Sequence, residues 1–217
     1  MVKLKFLVTG SAGLVGQQVV KDLSKSNQVF SCYNESKPEY GDSVKMDLKN
    51  YEMVSSILTE IKPDVVIHLG AMTGVDLCEK EKTSASEINT KATEIIAKEC
   101  SKLNSFLVYV STDYVFDGNF GMYKEDDVAN PLGFYGKSKL EGEKAVQNFS
   151  TNWCIVRTST PFGLHPTKKS FPMWVIENLQ KQKQIDVLID QFTSPTYIPN
   201  LSRMLIEISE RRITGII

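Results

Sequence analysis

The run Leu4-Lys5-Phe6-Leu7-Val8 feeds directly into Gly10-Ser11-Ala12-Gly13-Leu14-Val15-Gly16, and this junction constrains the fold more than any other feature. An apolar strand that breaks at a glycine and turns at once into a segment of helical spacing, Leu14–Lys25, opens a β–α–β unit. Gly10 permits the tight turn, Gly13 lets backbone approach a phosphate, and Gly16 lets the new helix pack on the sheet. The first turn of that helix offers unpaired N–H groups and a partial positive charge to an anion. Gly10, Gly13, Leu14, Val15 and Gly16 are therefore the candidate seat of a dinucleotide pyrophosphate.

The same alternation continues along the chain. Strand candidates are Lys3–Val8, Gln28–Cys32, Ser43–Lys45, Val65–Leu69, Phe106–Ser111 and Trp153–Thr158. Between them, Tyr51–Ile61, Ser84–Leu103 and Ser138–Phe149 carry helical spacing. Runs such as Val65-Val66-Ile67 and Phe106-Leu107-Val108-Tyr109-Val110 are apolar at every position, as strands covered on both faces must be. The class expected is α/β, a Rossmann-type doubly wound parallel sheet in a single domain over residues 1–217. Residues 160–217 are expected to contribute part of a small, incomplete C-terminal substrate lobe, since Ile213–Ile217 reads as the opening of a strand at which the sequence stops.

The chemistry concentrates in two stretches. Ser111-Thr112-Asp113-Tyr114 closes the apolar run at 106–110, and Tyr135-Gly136-Lys137-Ser138-Lys139 follows downstream. Open α/β sheets place ligands at strand ends, so the Thr112 hydroxyl is positioned to polarise a carbonyl oxygen, with Ser111 as the alternative. Tyr135 and Lys139 share a helix face. An unperturbed tyrosine, with a pKa of about 10, is a weak acid at neutral pH, and a nearby ammonium would lower that value. Thr112, Tyr135 and Lys139 thus form a candidate set for carbonyl reduction by hydride transfer.

An acidic residue at the end of the second strand would hold the adenosine ribose hydroxyls. Here Tyr33 or Asn34 stands in that place and Glu35 comes late, while Asn34, Ser36 and Lys37 suit a 2′-phosphate. The reading favours NADPH and leaves NADH open. Asp47-Leu48 after the third strand is a candidate adenine contact, with Asp47 alternatively capping the next helix.

A formal net charge of -1 predicts no nucleic-acid footprint, and no apolar run approaches the length of a membrane span. The basic stretches 166–169 and 181–183 read as solvated faces. Cys32, Cys78, Cys100 and Cys154 lack metal-ligand spacing and read as buried free thiols of a cytoplasmic protein, and no metal site is expected. His68 reads as a packed core histidine, Phe171 and Trp174 as core, and Glu79-Lys80-Glu81-Lys82 as a solvated helix start. Helices at 84–103 and 138–149 are candidates to pair in a homodimer.

Together these motifs resemble the extended short-chain dehydrogenases/reductases, and within them the dTDP-4-dehydrorhamnose reductase family, from Val2 to the C-terminus. The resemblance rests on Val8–Gly16, Ala71-Met72-Thr73-Gly74-Val75-Asp76, Ser111–Phe116, Tyr135–Glu143, Arg157-Thr158-Ser159 and Asp190–Thr196. It implies Thr112, Tyr135 and Lys139 as the catalytic set, with Asn89 supporting the lysine. Lys139 and Tyr135 would also contact the cofactor, which Ala71, Met72 and Thr73 line. Val75, Thr112, Asp113 and Tyr114 would lie near a dTDP-sugar whose C4 keto group is reduced in dTDP-L-rhamnose synthesis. Three positions depart from the family pattern: Thr160 replaces a tryptophan, Ser170 an asparagine and Thr193 a glycine. The Ser-x-Asp-Tyr-Val-Phe-Asp-Gly and Tyr-Gly-Lys-x-Lys patterns also resemble the regulatory β subunit of methionine adenosyltransferase. That likeness implies, as the alternative, a non-catalytic NADP-binding subunit; Thr73-Gly74-Val75-Asp76 favours the reductase.

Overall fold

Apolar strands need cover on both faces, and the helices supply it. The computed structural model describes residues 3–165 and 167–217; Met1, Val2 and Pro166, the last opening the basic stretch 166–169, lie outside the described residues. The chain runs β1 (Lys5–Thr9), α1 (Leu14–Leu23), β2 (Gln28–Tyr33), β3 (Asp42–Lys45), α2 (Tyr51–Ile61) and β4 (Val65–His68). Next come α3 (Val75–Lys80), α4 (Lys82–Ser86), a π-helical turn (Glu87–Lys91), α5 (Ala92–Leu103) and β5 (Phe106–Thr112). A 3₁₀ turn (Asp113–Val115) precedes α6 (Phe134–Phe149) and β6 (Trp153–Thr158). The remainder is β7 (Pro161–Phe162), α7 (Phe171–Gln180), β8 (Thr196–Tyr197), α8 (Ile198–Arg211) and β9 (Gly215–Ile216).

Seven strands form one parallel sheet in the order β3-β2-β1-β4-β5-β6-β9, with β7 and β8 paired separately. The order reverses between β1 and β4, where doubly wound sheets open a crevice at their carboxyl ends. Alternate residues of each strand face opposite layers. Phe6, Val8, Val65, Ile67, Val108 and Val156 pack against α1 and α8 through Val19, Val20, Leu23, Leu201 and Leu205. Leu7, Val66, Leu107, Tyr109 and Ile155 pack against α2, α5 and α6 through Val54, Leu58, Ile96, Ala97 and Val146. Within residues 213–217 a short strand does form: β9, Gly215–Ile216, extends the sheet beside β6, with Cys154 opposite Gly215. All four cysteines are free and buried. No helix of the described residues is long and apolar enough to cross a membrane.

Several local details differ from the expectations above. Residues 75–80 are helical, α6 starts at Phe134 so that Tyr135 lies in its first turn, and 84–103 is interrupted by the π turn. Phe171 and Trp174 stack on each other on α7 at 57% and 37% exposure, and α7 buries none of its residues, so the helical spacing there marks a surface pair rather than core.

His68 is packed at the centre of the sheet and satisfied on both ring nitrogens. Thr9 Oγ1 accepts from the N–H groups of Leu69 and Gly70, so its own proton goes to His68 Nδ1 at 2.6 Å. The ring proton therefore sits on Nε2 and is donated to Thr93 Oγ1 at 3.1 Å, which in turn donates to the Asn89 carbonyl. Burial, aided by Lys139, holds His68 neutral down to a pKa of about 3, against an ordinary 6.5. The unfolded imidazole takes a proton near 6.5 and the folded one does not until about 3, so this group removes stability as pH falls through that window. Chemical denaturation of His68→Gln across pH 3 to 7 is expected to show lower stability at neutrality and a shallower acid loss; an unchanged slope would assign the acid sensitivity elsewhere.

Candidate active site

At the β1 end, the glycine turn is as tight as its spacing implies. Gly10 has φ +64°, and a methyl on Gly16 would come within 2.2 Å of the Gly10 carbonyl oxygen, so the start of α1 presses directly on the turn. Gly13 caps α1 without a side-chain hydrogen bond, and no acid occupies its first turn. The leading N–H groups of α1 thus have no helical acceptor and are available to an anion. This arrangement fits a dinucleotide diphosphate.

From that turn a cavity of ≈ 760 Å³ runs along the carboxyl edge of the sheet. Gly10, Gly13, Leu14, Val15, Gly16, Tyr33, Asn34, Ala71, Thr73, Val75, Thr112, Asp113, Tyr114, Tyr135 and Lys139 all line it, with Ser111. Glu35 and Ser36 line it as well. Met72, Asp47, Leu48 and Lys37 are not on its wall. Asp47 accepts from the Lys49 N–H, while Asn50 caps α2. Leu48 packs against Gly70, and Met72 is tied by its backbone to Asn89.

Thr112 sits where β5 passes into the 3₁₀ turn, its Oγ1 accepting from Tyr114 N–H and donating to Asp113 Oδ1, both at 3.2 Å. Tyr135 meets the Tyr114 ring edge-on at 5.6 Å. Burial pushes the Tyr135 phenol up to about 12, opposed by the Thr112 hydroxyl. Burial pushes the Lys139 ammonium down to about 7, opposed by Glu143 one turn along α6. Lys139 Nζ donates to the Val110 carbonyl at 2.9 Å and lies 4.1 Å from the Tyr109 ring centroid. The Tyr135 phenol is thus raised rather than acidified, and Lys139 is not among the groups that lower it, a difference from the sequence-based expectation. Two further hydroxyls on the wall, Ser111 Oγ and Thr158 Oγ1, are buried with no hydrogen-bond partner among the described residues and are free to meet a ligand.

The support behind these groups was only partly legible. Asn89 lies in the π turn, and such bulges recur at functional sites. Its carboxamide accepts from Met72 N–H at 2.8 Å and donates to the Met72 carbonyl and to Ser138 Oγ. It makes no bond to Lys139, and any support it gives the lysine passes through Ser138. Glu79, read as solvated, accepts from the Phe134 N–H and so caps α6 from α3. Gly136 is required by contact: a methyl there would come within 2.1 Å of the Tyr114 carbonyl oxygen. Arg157 on β6 grips Glu143 with two bonds, at 3.1 and 2.7 Å, fixing α6 to the sheet. Across the cavity, Gln191 donates to the Tyr114 hydroxyl, and Thr193 meets both Ser159 and Thr160.

Residues 4–216 match the RmlD substrate binding domain family. The chain belongs to that family. It is 35% identical to dTDP-4-dehydrorhamnose reductase of Aggregatibacter actinomycetemcomitans over 97% of its own length and 69% of that protein's. It is also 33% identical to methionine adenosyltransferase 2 subunit beta of Xenopus tropicalis, covering 95% of the chain but only 62% of that protein. The chain therefore spans under two thirds of that subunit's length. A hypothetical dTDP-4-dehydrorhamnose reductase from Sulfolobus tokodaii superposes with a TM-score of 0.91 at 36% identity, over 99% of this chain and 75% of that one. The Bacillus anthracis dTDP-4-dehydrorhamnose reductase, solved in complex with NADP, gives 0.89 at 30%, over 99% and 73%.

The buried amine of this RmlD-family site has a measurable cost. Between pH 10.5 and about 7 an unfolded Lys139 holds a proton that the folded one lacks, so the fold loses stability as pH drops through that window. Lys139→Met is expected to raise the melting temperature at or below neutrality, by about 2–4 °C per kcal/mol recovered, and to flatten that pH dependence. A lower melting temperature across the whole range would show the amine to be net stabilising.

Proposed function

We propose that the chain is an NAD(P)H-dependent sugar-nucleotide reductase acting as a dTDP-4-dehydrorhamnose reductase, reducing the C4 keto group of a dTDP-6-deoxyhexulose in dTDP-L-rhamnose synthesis. The observation that carries it is the meeting of Thr112, Tyr135 and Lys139 on one wall of the cavity that begins at the glycine turn. NADPH, when bound, supplies the hydride. Thr112 Oγ1 donates a hydrogen bond to the carbonyl oxygen, and Tyr135 delivers a proton to it as negative charge develops. A phenol at about 12 is still a far stronger acid than the alcohol being formed, so proton delivery to an alkoxide does not require an acidified tyrosine. Lys139 holds a polar, positively biased point behind the tyrosine, fixed by Val110 and Tyr109. Asn34 and Ser36, lying on the cavity wall without an acid at the end of β2, favour NADPH, and Glu35 leaves room for NADH. A cytoplasmic homodimer pairing through α5 and α6 belongs to the same reading.

The alternative is an NADP-binding regulatory subunit. The resemblance to methionine adenosyltransferase 2 subunit beta favours it. NADPH and NADH oxidation with dTDP-4-dehydro-6-deoxy-L-mannose separates the two. Tyr135→Phe is expected to lower kcat by about 10²–10⁴-fold with unchanged NADPH binding. Wild-type turnover in Tyr135→Phe would overturn the mechanism. Tight NADPH binding without any turnover, together with capture of a methionine adenosyltransferase catalytic subunit, would establish the regulatory reading.

A further inference from the structure

We infer that Lys168, held in place by His165, clamps the diphosphate of the bound dinucleotide from the lobe side of the cavity; this rests on the dinucleotide reading above. The backbone N–H groups of Thr167 and Lys168 both donate to His165 Nδ1, at 3.2 and 2.9 Å. That nitrogen is therefore an acceptor, and the ring proton sits on Nε2. Nε2 is buried and makes no well-formed hydrogen bond to the described residues. The carbonyl of Ala12, in the middle of the glycine turn, lies close enough to favour the protonated ring, against burial and the Lys168 charge. The imidazole thus holds the backbone that carries Lys168.

Lys168 and Ala12 line the same cavity, together with Gly13 and Leu14. The neighbouring Lys169 is committed to Glu177 and Glu177 also takes Lys181, whereas no carboxylate of the described residues pairs with Lys168. The turn itself offers no cation. Ser11 Oγ, its one hydroxyl, is donated to the Cys32 carbonyl. A helix N-terminus supplies a partial charge of about half a unit, which leaves most of a diphosphate's charge unmatched. The Lys168 ammonium, paired with no carboxylate of the described residues and on the same cavity wall as that turn, meets the remainder. A sugar nucleotide also carries a diphosphate; the cavity lining that Lys168 shares with Ala12, Gly13 and Leu14 of the glycine turn assigns it to the dinucleotide.

The test measures dissociation constants of NADPH, NADH and dTDP by titration calorimetry, for wild type, Lys168→Met and Lys168→Arg. The expected result is a roughly tenfold weakening of both dinucleotides in Lys168→Met, with a shallower salt dependence, restoration in Lys168→Arg and no change for dTDP. Loss confined to NADPH would make Lys168 a 2′-phosphate contact and overturn the inference. Loss confined to dTDP would assign the clamp to the sugar nucleotide and overturn it too. Unchanged binding of all three would overturn it alone, whereas wild-type protein that binds neither dinucleotide would overturn the dinucleotide reading as well.

Discussion

The site depends on keeping one amine, Lys139, out of water. At 3% exposure its ammonium is supported by a single carbonyl, an aromatic face and the carboxylate of Glu143 one turn away. Burying a charge costs several kcal/mol unless such partners are held at contact distance. The surrounding structure supplies that distance. α6 lies so close to β5 and the 3₁₀ turn that glycine stands at both of its tightest points, Gly136 and Gly142. Arg157 pins Glu143 from the next strand, and Glu79 caps the helix at its start. Tyr135 is carried into position by the same helix, so the phenol and the amine are set by one packing interaction.

A second chain of contacts reaches the site from the opposite side. Thr9, His68 and Thr93 relay a hydrogen bond from the end of β1 to the Asn89 carbonyl. Asn89 then fixes Met72 and Ser138. The glycine turn that suits a cofactor and the helix that carries Tyr135 are therefore joined through fully buried polar groups. Any displacement of β1 relative to α6 would leave buried hydrogen-bonding groups unpaired, which costs more than the bonds themselves contribute.

The centre of the sheet was readable because its strands obey one rule. Runs such as 106–110 are apolar throughout, and only a strand covered on both faces can be so. That Tyr135 and Lys139 meet on one cavity was readable because helical geometry places residues four apart on one face. What escaped was set by contacts distant in sequence. The π turn leaves no pattern in Glu87–Lys91, since it arises where Asn89 is drawn toward Met72 and Ser138. Glu79 sits in a charge run that looks solvated, and its role exists only because Phe134 arrives beside it. Phe171 and Trp174 have core spacing, but α7 belongs to the lobe and has little to pack against. Likewise, Thr160 and Thr193 depart from the family pattern at positions far apart in sequence. In space they bond to each other at 2.6 Å, so the two changes form one small polar contact.

The crowding at Gly136 and Gly142 also bears on how such a protein can be altered. Replacing glycine by alanine inside a helix ordinarily stabilises by about 1 kcal/mol through helix propensity and a less flexible unfolded chain. Here an added methyl would approach the Tyr114 carbonyl oxygen to 2.1 Å at one position and the Tyr109 hydroxyl to 2.3 Å at the other. The helix would have to lift off the strand, and water would reach the amine. Thermostabilisation by improving helix formers must therefore leave this face untouched, and a library that randomised these two glycines would recover mainly glycine.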